Sequence, residues 1–148
     1  MQLTSPAFDD GDPIPRTYGY TEDDVSPPLR FEGVPGKTSS LALVMDDPDA
    51  VEPAGKVWDH WVVWNVDPDV EDVDEGAVPR GGVEGTNDYG EVGYGGPNPP
   101  DKRHTYVFTL YALDTEVDLE EGATKSELED AMEPYVLATA ELTGTYAP

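Results

Sequence analysis

Three runs of apolar and β-branched residues constrain the fold of this chain more than any other feature. They cover residues 39–45, 60–66 and 105–113, and turn-forming or acidic residues separate them. Runs of this length and composition predict buried strands of a sheet. In the third run, alternate side chains would share one face of the strand: Tyr106, Phe108 and Leu110.

Two stretches rich in glycine and proline connect these strands. Residues 1–37 would form only short extended pieces, including one strand over 31–35, because a residue before a proline is pushed toward extended geometry. Residues 67–103 form a long connection, and such connections are usually functional or disordered. Tyr89 and Tyr94 favour a packed loop here. The chain has no internal repeat, so we expect a single domain, 1–148.

The C-terminal part predicts helices. Thr124 and Glu127 have the spacing of a capping box, in which each side chain accepts a hydrogen bond from the other residue's backbone N–H. Apolar residues follow at helical spacing and would form one buried face: Leu128, Ala131, Met132, Tyr135 and Val136. Pro134 would break the helix. We therefore expect a second short helix over 135–141 and an extended piece over 142–146.

Acidic side chains outnumber basic ones by 32 to 8, which gives a formal net charge of -24. They are spread from Asp9 to Glu141, so the whole folded chain would repel itself in dilute salt. Molar salt screens this repulsion, and we therefore expect a halophilic protein with an acidic surface. The same charge argues against nucleic acid and anionic membranes as partners, because both are bound through basic patches.

The cellular location follows from features that the sequence lacks. There is no cysteine, which excludes disulfides and thiolate chemistry. The first residues do not have the positive and then apolar pattern of a signal peptide. No apolar stretch approaches the roughly 20 residues of a membrane helix. We expect a cytoplasmic protein without membrane insertion.

Two histidines and an acidic turn are the candidates for chemistry. His60 and His104 each lie at the start of a predicted strand, so we expect both at the same end of a sheet. Asp47 and Asp49 follow the first strand, and Pro48 stiffens their turn. A carboxylate near an imidazole favours the imidazolium form, which donates hydrogen bonds to anions. The alternative for each histidine is a buried structural residue.

No known catalytic or metal-binding pattern accompanies these residues. The histidine spacing matches no zinc motif, and the acidic turns lack the glycine and glutamate of a calcium loop. There is no nucleophile elbow and no phosphate-binding loop, and residues 90–96 lack the glycine spacing of a dinucleotide site. We expect no metal, no cofactor and no catalytic residue.

A series of ordered motifs spans nearly the whole chain: Ser26-Pro27-Pro28-Leu29, Asp47-Pro48-Asp49-Ala50, Trp58-x-His60-Trp61, Gly93-Tyr94-Gly95-Gly96-Pro97-x-Pro99-Pro100, His104-x-Tyr106, Tyr111-Ala112-Leu113-Asp114 and Gly144-x-Tyr146. In this order the chain resembles the phosphatidylethanolamine-binding protein (PEBP) family, in particular its prokaryotic Raf kinase inhibitor-like branch. The resemblance implies a mainly β fold, a Greek-key β-sandwich of a large and a smaller sheet with short C-terminal helices.

The resemblance also implies a shallow pocket at one end of the large sheet that binds phosphate, acetate or phosphorylated headgroups. The two histidines and a backbone N–H beside Gly96 would donate to the anion, and Tyr106 would add an O–H donor or a wall. Asp47 would orient an imidazole or meet a cationic amine. Trp61 and Tyr94 would support the pocket. The full set of implied ligand-binding positions is Asp47, Asp49, His60, Gly96, Pro97, His104 and Tyr106.

Three positions depart from the family pattern. Val51 replaces the proline that usually follows Asp-Pro-Asp-Ala, so the loop after it would differ in shape. Thr105 replaces an arginine between the last histidine and tyrosine, which removes a cation. Asn98 stands where prokaryotic members often carry cysteine.

These features lead to three functional hypotheses. The first is a non-catalytic protein that binds a small anionic or phosphorylated ligand. The second is an inhibitor or regulator of a kinase or protease, which would need a protein partner at the pocket rim. The third is a hydrolase with His60 and His104 as acid–base groups. The resemblance also leaves a homodimer open.

Salt should not weaken the binding of an anion to this protein. The acidic surface repels an approaching anion, and added salt screens that repulsion. We expect the Kd for phosphate, measured by calorimetry from about 0.1 to 2 M of a non-competing salt, to stay constant or to fall. A steep rise of Kd with salt, while circular dichroism shows an intact fold, would contradict this expectation.

Overall fold

The structure is a computed structural model that describes residues 1–148 as two antiparallel sheets with few short helices. The small sheet has three strands in the spatial order β1 (Gln2–Thr4), β2 (Leu29–Glu32) and β5 (Asp72–Val73). The large sheet has five strands in the spatial order β6 (Val83–Glu84), β4 (Trp58–Val66), β3 (Ser40–Asp47), β7 (His104–Leu113) and β8 (Val136–Tyr146).

The large sheet has the Greek-key arrangement. The chain runs from β3 to its neighbour β4 and on to β6, and it then returns across the sheet to place β7 on the other side of β3. The spatial order of these four strands is that of a Greek key. The predicted mainly β architecture with a large and a smaller sheet is confirmed.

Strand β3 is apolar from Leu41 to Met45 because this part of it lies in the middle of the large sheet and is buried on both faces. One face joins the main core, between the two sheets, through Leu41, Leu43 and Met45. The other face joins a second core under the C-terminal helix through Ala42 and Val44.

Strand β7 alternates between buried and partly exposed residues, as its sequence predicts. Tyr106, Phe108 and Leu110 are fully buried in the main core. Two of the residues between them, Val107 and Thr109, are partly exposed. The three strongest strand predictions are therefore confirmed. The first strand begins one residue later than predicted and ends two residues later, and the other two begin two residues and one residue earlier.

The proline- and glycine-rich stretches contain more regular structure than the sequence indicates. The strand expected over 31–35 lies at Leu29–Glu32, two residues earlier, where it pairs with β1 and β5. The long connection over 67–103 contains β5 and β6. Its centre is packed, because the buried Asn87 side chain accepts hydrogen bonds from the backbone N–H groups of Tyr89 and Glu91.

The helices are short. A 3-10 turn over Pro48–Ala50 continues into α1 (Val51–Ala54), and α2 covers Lys125–Met132. Thr124 and Glu127 form the predicted capping box at the start of α2. Further 3-10 turns lie at Arg16–Tyr18 and Glu133–Tyr135. None of the helices has the length and apolar character that a membrane span requires.

The prediction of a second helix over 135–141 is wrong. The helix ends before Pro134 as expected, but β8 begins directly afterwards at Val136. Residues 136–146 pair along the full length of β7, so the hydrogen bonds of a sheet ladder outweigh the local helical preference of this segment. Tyr135 and Val136 are exposed and do not extend the buried face of α2.

Gly144 lies where a side chain has no room, and its replacement tests the packing of the main core. A Cβ atom there would lie 2.5 Å from Cγ1 of Ile14 and 2.9 Å from Cε2 of Phe8. We expect Gly144→Ala to lower the free energy of unfolding by about 1–3 kcal/mol, as overpacking usually does. The measurement is urea unfolding, with Gly36→Ala as the matched control because its Cβ would meet no atom within 4 Å. Equal stability of the two variants would contradict the packing described here.

Candidate functional site

One rim of the large sheet brings three strand ends together. Asp47 ends β3, and both antiparallel neighbours of β3 begin at this rim, β4 at Trp58 and β7 at His104. Asp47 pairs directly with Trp58, and Asp46 pairs with Val107 of β7. Residues that are far apart in sequence therefore line one cavity of about 230 Å³.

The cavity is lined by apolar and polar side chains. Ala50, Pro53, Ala54 and Trp58 come from the segment between β3 and the start of β4, and Pro99 and Pro100 come from the segment before β7. Tyr89 reaches the cavity from the long connection and stacks on Tyr20 with 3.9 Å between ring centroids. The remaining lining residues carry the polar groups: Asp47, His60, Asn98, His104 and Tyr106.

His104 is held between two carboxylates. Its Nδ1 lies 2.6 Å from Oδ2 of Asp47, and its Nε2 lies 2.7 Å from Oδ1 of Asp101. Burial by itself lowers the pKa of His104, but the hydrogen bonds to the two carboxylates outweigh it and raise the pKa above its ordinary value. Because each ring nitrogen faces a carboxylate oxygen, this arrangement favours the doubly protonated imidazolium form of His104, in a buried position.

Asp47 also fixes the turn that follows β3. Its Oδ1 accepts a hydrogen bond from the backbone N–H of Asp49, 2.9 Å away, and so caps the 3-10 turn. Asp49 in turn accepts from the backbone N–H of Thr105 through Oδ2, at 2.8 Å. These hydrogen bonds join the turn to β7 beside His104. Asp47, Asp49 and His104 are thereby connected to one another.

The pKa of His60 is shifted in the opposite direction to that of His104. The Nδ1 atom of His60 lies 2.7 Å from the carbonyl oxygen of Gly95, and its ring is 2 % exposed. Burial lowers the pKa of His60 to about 4, and the hydrogen bond to Gly95 offsets only part of that effect. His60 is consequently a neutral imidazole at neutral pH.

A β-bulge directs His60 into the cavity. Met45 pairs with Trp61, whereas the next residue, Asp46, pairs with Asp59, so His60 has no partner on β3. Such an extra residue re-aims a side chain, and bulges often occur at functional sites. The His60 ring lies edge-on to that of Tyr106, with 5.2 Å between centroids.

Tyr106 has its ring near both histidines and carries a hydroxyl without a hydrogen-bond partner. Its ring centroid lies 5.2 Å from that of His60 and 6.3 Å from that of His104. The hydroxyl is buried and makes no hydrogen bond. Burial and the nearby Asp47 charge raise the pKa of Tyr106, so the group stays protonated. A buried hydroxyl of this kind is normally paired.

The structure brings four of the seven predicted ligand-binding residues to the cavity: Asp47, His60, His104 and Tyr106. Asp49 does not line the cavity; its carboxylate accepts a hydrogen bond from the backbone N–H of Thr105 instead. Gly96 and Pro97 do not line the cavity. The backbone N–H groups of this stretch are already used: that of Gly95 donates to the His60 carbonyl oxygen at 2.9 Å, and that of Gly96 donates to Oδ1 of Asp24 at 2.8 Å. A Cβ at Gly96 would clash with the Tyr18 carbonyl oxygen.

The two predicted support residues also lie outside the lining. The Trp61 indole donates to Oε2 of Glu84 at 2.8 Å, and its ring stands perpendicular to that of Tyr94 in the main core. Sequence reasoning did not single out Tyr89 or Asp101. The spacing of Asp101 three residues before His104 was the one available signal for the second carboxylate.

A model of the family described as phosphatidylethanolamine-binding protein matches residues 4–147 of the chain. The chain belongs to this family. A UPF0098 protein of Methanothermobacter thermautotrophicus is 48% identical to it, over 99% of this chain and 98% of the relative. A UPF0098 protein of Chlamydia trachomatis is also 48% identical, with the same shares of the two chains covered.

Two solved structures of PEBP homologues share the fold. The putative PEBP homologue CT736 of Chlamydia trachomatis has a TM-score of 0.92 and 46% sequence identity, over 98% of this chain and 95% of the other. The E. coli PEBP family member YbcL has a TM-score of 0.90 and 32% identity, over 98% and 96%. Membership of the PEBP family and its fold, predicted from the ordered motifs, are confirmed.

The two histidines should respond to pH in opposite ways. The folded-state pKa of His60 lies below its ordinary value of 6.5, so its contribution to stability is present above pH 6.5 and is lost as pH falls toward 4. The folded-state pKa of His104 is raised, so its contribution is complete below pH 6.5 and is lost as pH rises through that raised value.

We expect wild type to lose on the order of 3 kcal/mol more unfolding free energy than His60→Gln between pH 6.5 and 4. Urea unfolding at constant salt measures this difference. In parallel, NMR titration of the two imidazole Cε1–H signals should give an apparent pKa near 4 for His60 and above 6.5 for His104. Titration of both rings near 6.5 would contradict the site as described.

Proposed function

We propose that this protein is a non-catalytic binding protein whose cavity holds a small anionic or phosphorylated ligand. The observation that carries the proposal is the buried His104 imidazolium at the cavity wall, between one buried and one replaceable carboxylate. A buried charge is costly unless it is paired, so a site that maintains one is suited to bind the opposite charge.

The two carboxylates on His104 differ in how easily they can be replaced. Asp47 is 3 % exposed and is held by the turn after β3. The Asp101 side chain is 35 % exposed, and it follows two prolines at the rim of the cavity. An incoming anionic oxygen takes the place of Asp101 on Nε2–H, while Asp47 keeps the ring protonated and oriented.

The rest of the cavity suits the organic part of such a ligand. Its lining combines alanine, proline and aromatic side chains with a few polar groups, as in most small-molecule sites. The lining contains no serine, threonine or cysteine. Its aspartate, which could also act as a nucleophile, is bound to His104, and Nδ1 of His60 is bound to the carbonyl oxygen of Gly95. These commitments favour binding over a covalent reaction.

The charge of the protein bears on where the ligand comes from. A net charge of -24 is repelled by an anionic lipid surface, which favours a free ligand over a membrane headgroup. The same charge is part of the proposal that the protein works at high salt, where the repulsion of a free anion is screened.

A phosphate titration followed by NMR tests the proposed function. We expect phosphate to shift the imidazole signals of both His60 and His104, because both rings line the cavity. Removing the carboxylate that competes for His104, in Asp101→Asn, should lower the Kd for phosphate by about tenfold, the worth of one charge-assisted hydrogen bond.

The control for this variant is Asp118→Asn, which removes one charge from an exposed residue away from the cavity. The control should leave the Kd within about twofold of wild type, because a single surface charge is largely screened. Histidine signals that stay unchanged at saturating phosphate would contradict the proposed function. Equal affinity gains in the two variants would show that Asp101 acts only through net charge.

A further inference from the structure

We propose that two copies of the chain pair through the outer edge of β8 and form a two-fold symmetric dimer, in which the two large sheets become one continuous sheet. The contact is made by residues Leu137 to Glu141, which we call the free edge. The free edge lies at the far end of the large sheet from the cavity, because Val136 pairs with Leu113 while the other end of β8 pairs with His104.

Strand β8 is the last strand of the large sheet, and the chain covers only half of its outer edge. Residues 10–14 lie along the C-terminal half, where both backbone groups of Thr143 and of Thr145 form hydrogen bonds to them of 2.7–3.0 Å. In an antiparallel ladder every second residue directs its N–H and C=O to the same side. Thr139 and Glu141 therefore also direct theirs outward, where no other segment of the chain meets them.

The free edge lacks the features with which proteins commonly prevent strand pairing. Exposed edges are commonly protected by charged side chains, by proline or by a covering segment. No charged residue lies between Glu133 and Glu141, although charged residues make up 27% of the chain. The exposed apolar side chains of Tyr135, Val136 and Leu137 lie at the start of the same stretch. Two copies can therefore meet here without bringing carboxylates together.

The outward backbone groups select one register. With the two-fold axis at Thr139, this residue exchanges both backbone hydrogen bonds with Thr139 of the second copy. Ala138 then lies opposite Ala140, and Leu137 lies opposite Glu141. Opposed threonines are a favourable cross-strand pair, and no two carboxylates face each other. A shift in one direction meets the half of the edge that residues 10–14 cover, and a shift in the other meets the irregularity of β8 before Ala138.

The acidic groups around the contact make the dimer dependent on salt. In this register the two Glu141 residues are four positions apart along the strands, roughly 14 Å. The groove beside Val136 is lined by Glu129, Asp130 and Glu133, and the dimer brings both sets of these carboxylates to one face of the joined sheet. Their repulsion opposes association in dilute salt. At about 1 M salt the Debye length falls to about 3 Å, which screens it.

A second copy fits this edge better than a basic partner does. A basic segment would be held by carboxylates along the strand, and the free edge has none between Glu133 and Glu141. Identical strands that pair antiparallel around a two-fold axis use the same edge on both chains, so the assembly closes as a dimer. A contact of five residues is small, and we expect a reversible dimer with a Kd on the order of 10–100 µM in molar salt.

Sedimentation equilibrium of the wild-type chain tests the dimer. We expect the mass to rise with concentration from 16.1 kDa to twice that value in about 2 M KCl. The dimer Kd should be at least about tenfold higher in about 0.1 M KCl. Circular dichroism shows whether the fold is intact in both salts. A chain that is folded and stays monomeric at millimolar concentration in 2 M KCl would overturn the proposal and leave the edge to a different protein.

Single cysteines test the register, because the chain has no cysteine of its own. Residues opposite each other in a hydrogen-bonded pair have Cα atoms about 5.5 Å apart, within the range of a disulfide. We expect Thr139→Cys to give a disulfide-linked dimer in 2 M KCl when oxidised glutathione takes up the two thiol hydrogens. The readout is the fraction of linked dimer on a non-reducing gel.

The matched control is Glu141→Cys, which lies on the same face of the same strand and is also exposed. Its two copies would be roughly 14 Å apart in the dimer, too far for a disulfide. We expect Thr139→Cys to form linked dimer at least about tenfold faster than this control. Equal rates in the two variants would show that any dimer uses another surface, and the proposal would then be wrong.

The dimer and the proposed function can be tested separately. The linked Thr139→Cys dimer and the reduced monomer should have the same Kd for phosphate within about twofold, because distant sites act independently. If phosphate does not bind but the wild-type chain dimerises and links at residue 139, the proposed function fails and the dimer stands. If phosphate binds to a chain that stays monomeric, the dimer fails and the proposed function stands.

Discussion

The site depends on one buried ion pair between the end of β3 and the start of β7. Asp47 and His104 are almost fully buried, and each would be costly in that position without the other. Their hydrogen bond joins the strand at the centre of the large sheet to its neighbour. The same carboxylate also holds the 3-10 turn after Asp47 in place through a hydrogen bond. The cavity forms around this pair because β4 begins at the same rim.

The main strands were predictable from the sequence because the reason for their burial is local. Strand β3 is apolar at every position from Leu41 to Met45, and β7 alternates, since one is buried on both faces and the other on one. The segment over 136–141 was not predictable in this way. Its composition favours a helix, and its actual partner is the edge of β7, more than 20 residues earlier in the chain. Pairing between distant strands outweighs local preference there.

The candidate site was predictable in part. The ordered motifs indicated which segments converge, and four of the expected residues line the cavity. What the sequence did not contain is the protonation state of each histidine. That state depends on the Gly95 carbonyl in one case and on the Asp101 carboxylate in the other. Asp49 and Gly96 belong to the same motifs for a different reason, since they position the backbone around the cavity.

The β-bulge at His60 restricts how this rim can change during evolution. Because His60 is an extra residue in the β3–β4 ladder, between the pairs Met45–Trp61 and Asp46–Asp59, deleting one residue there would remove this bulge. The deletion would also turn every side chain on one side of the break to the opposite face of the sheet. Relatives that adapt to new ligands should therefore differ at this rim by substitutions, or by insertions in the loop after α1, while the length of β4 itself stays fixed.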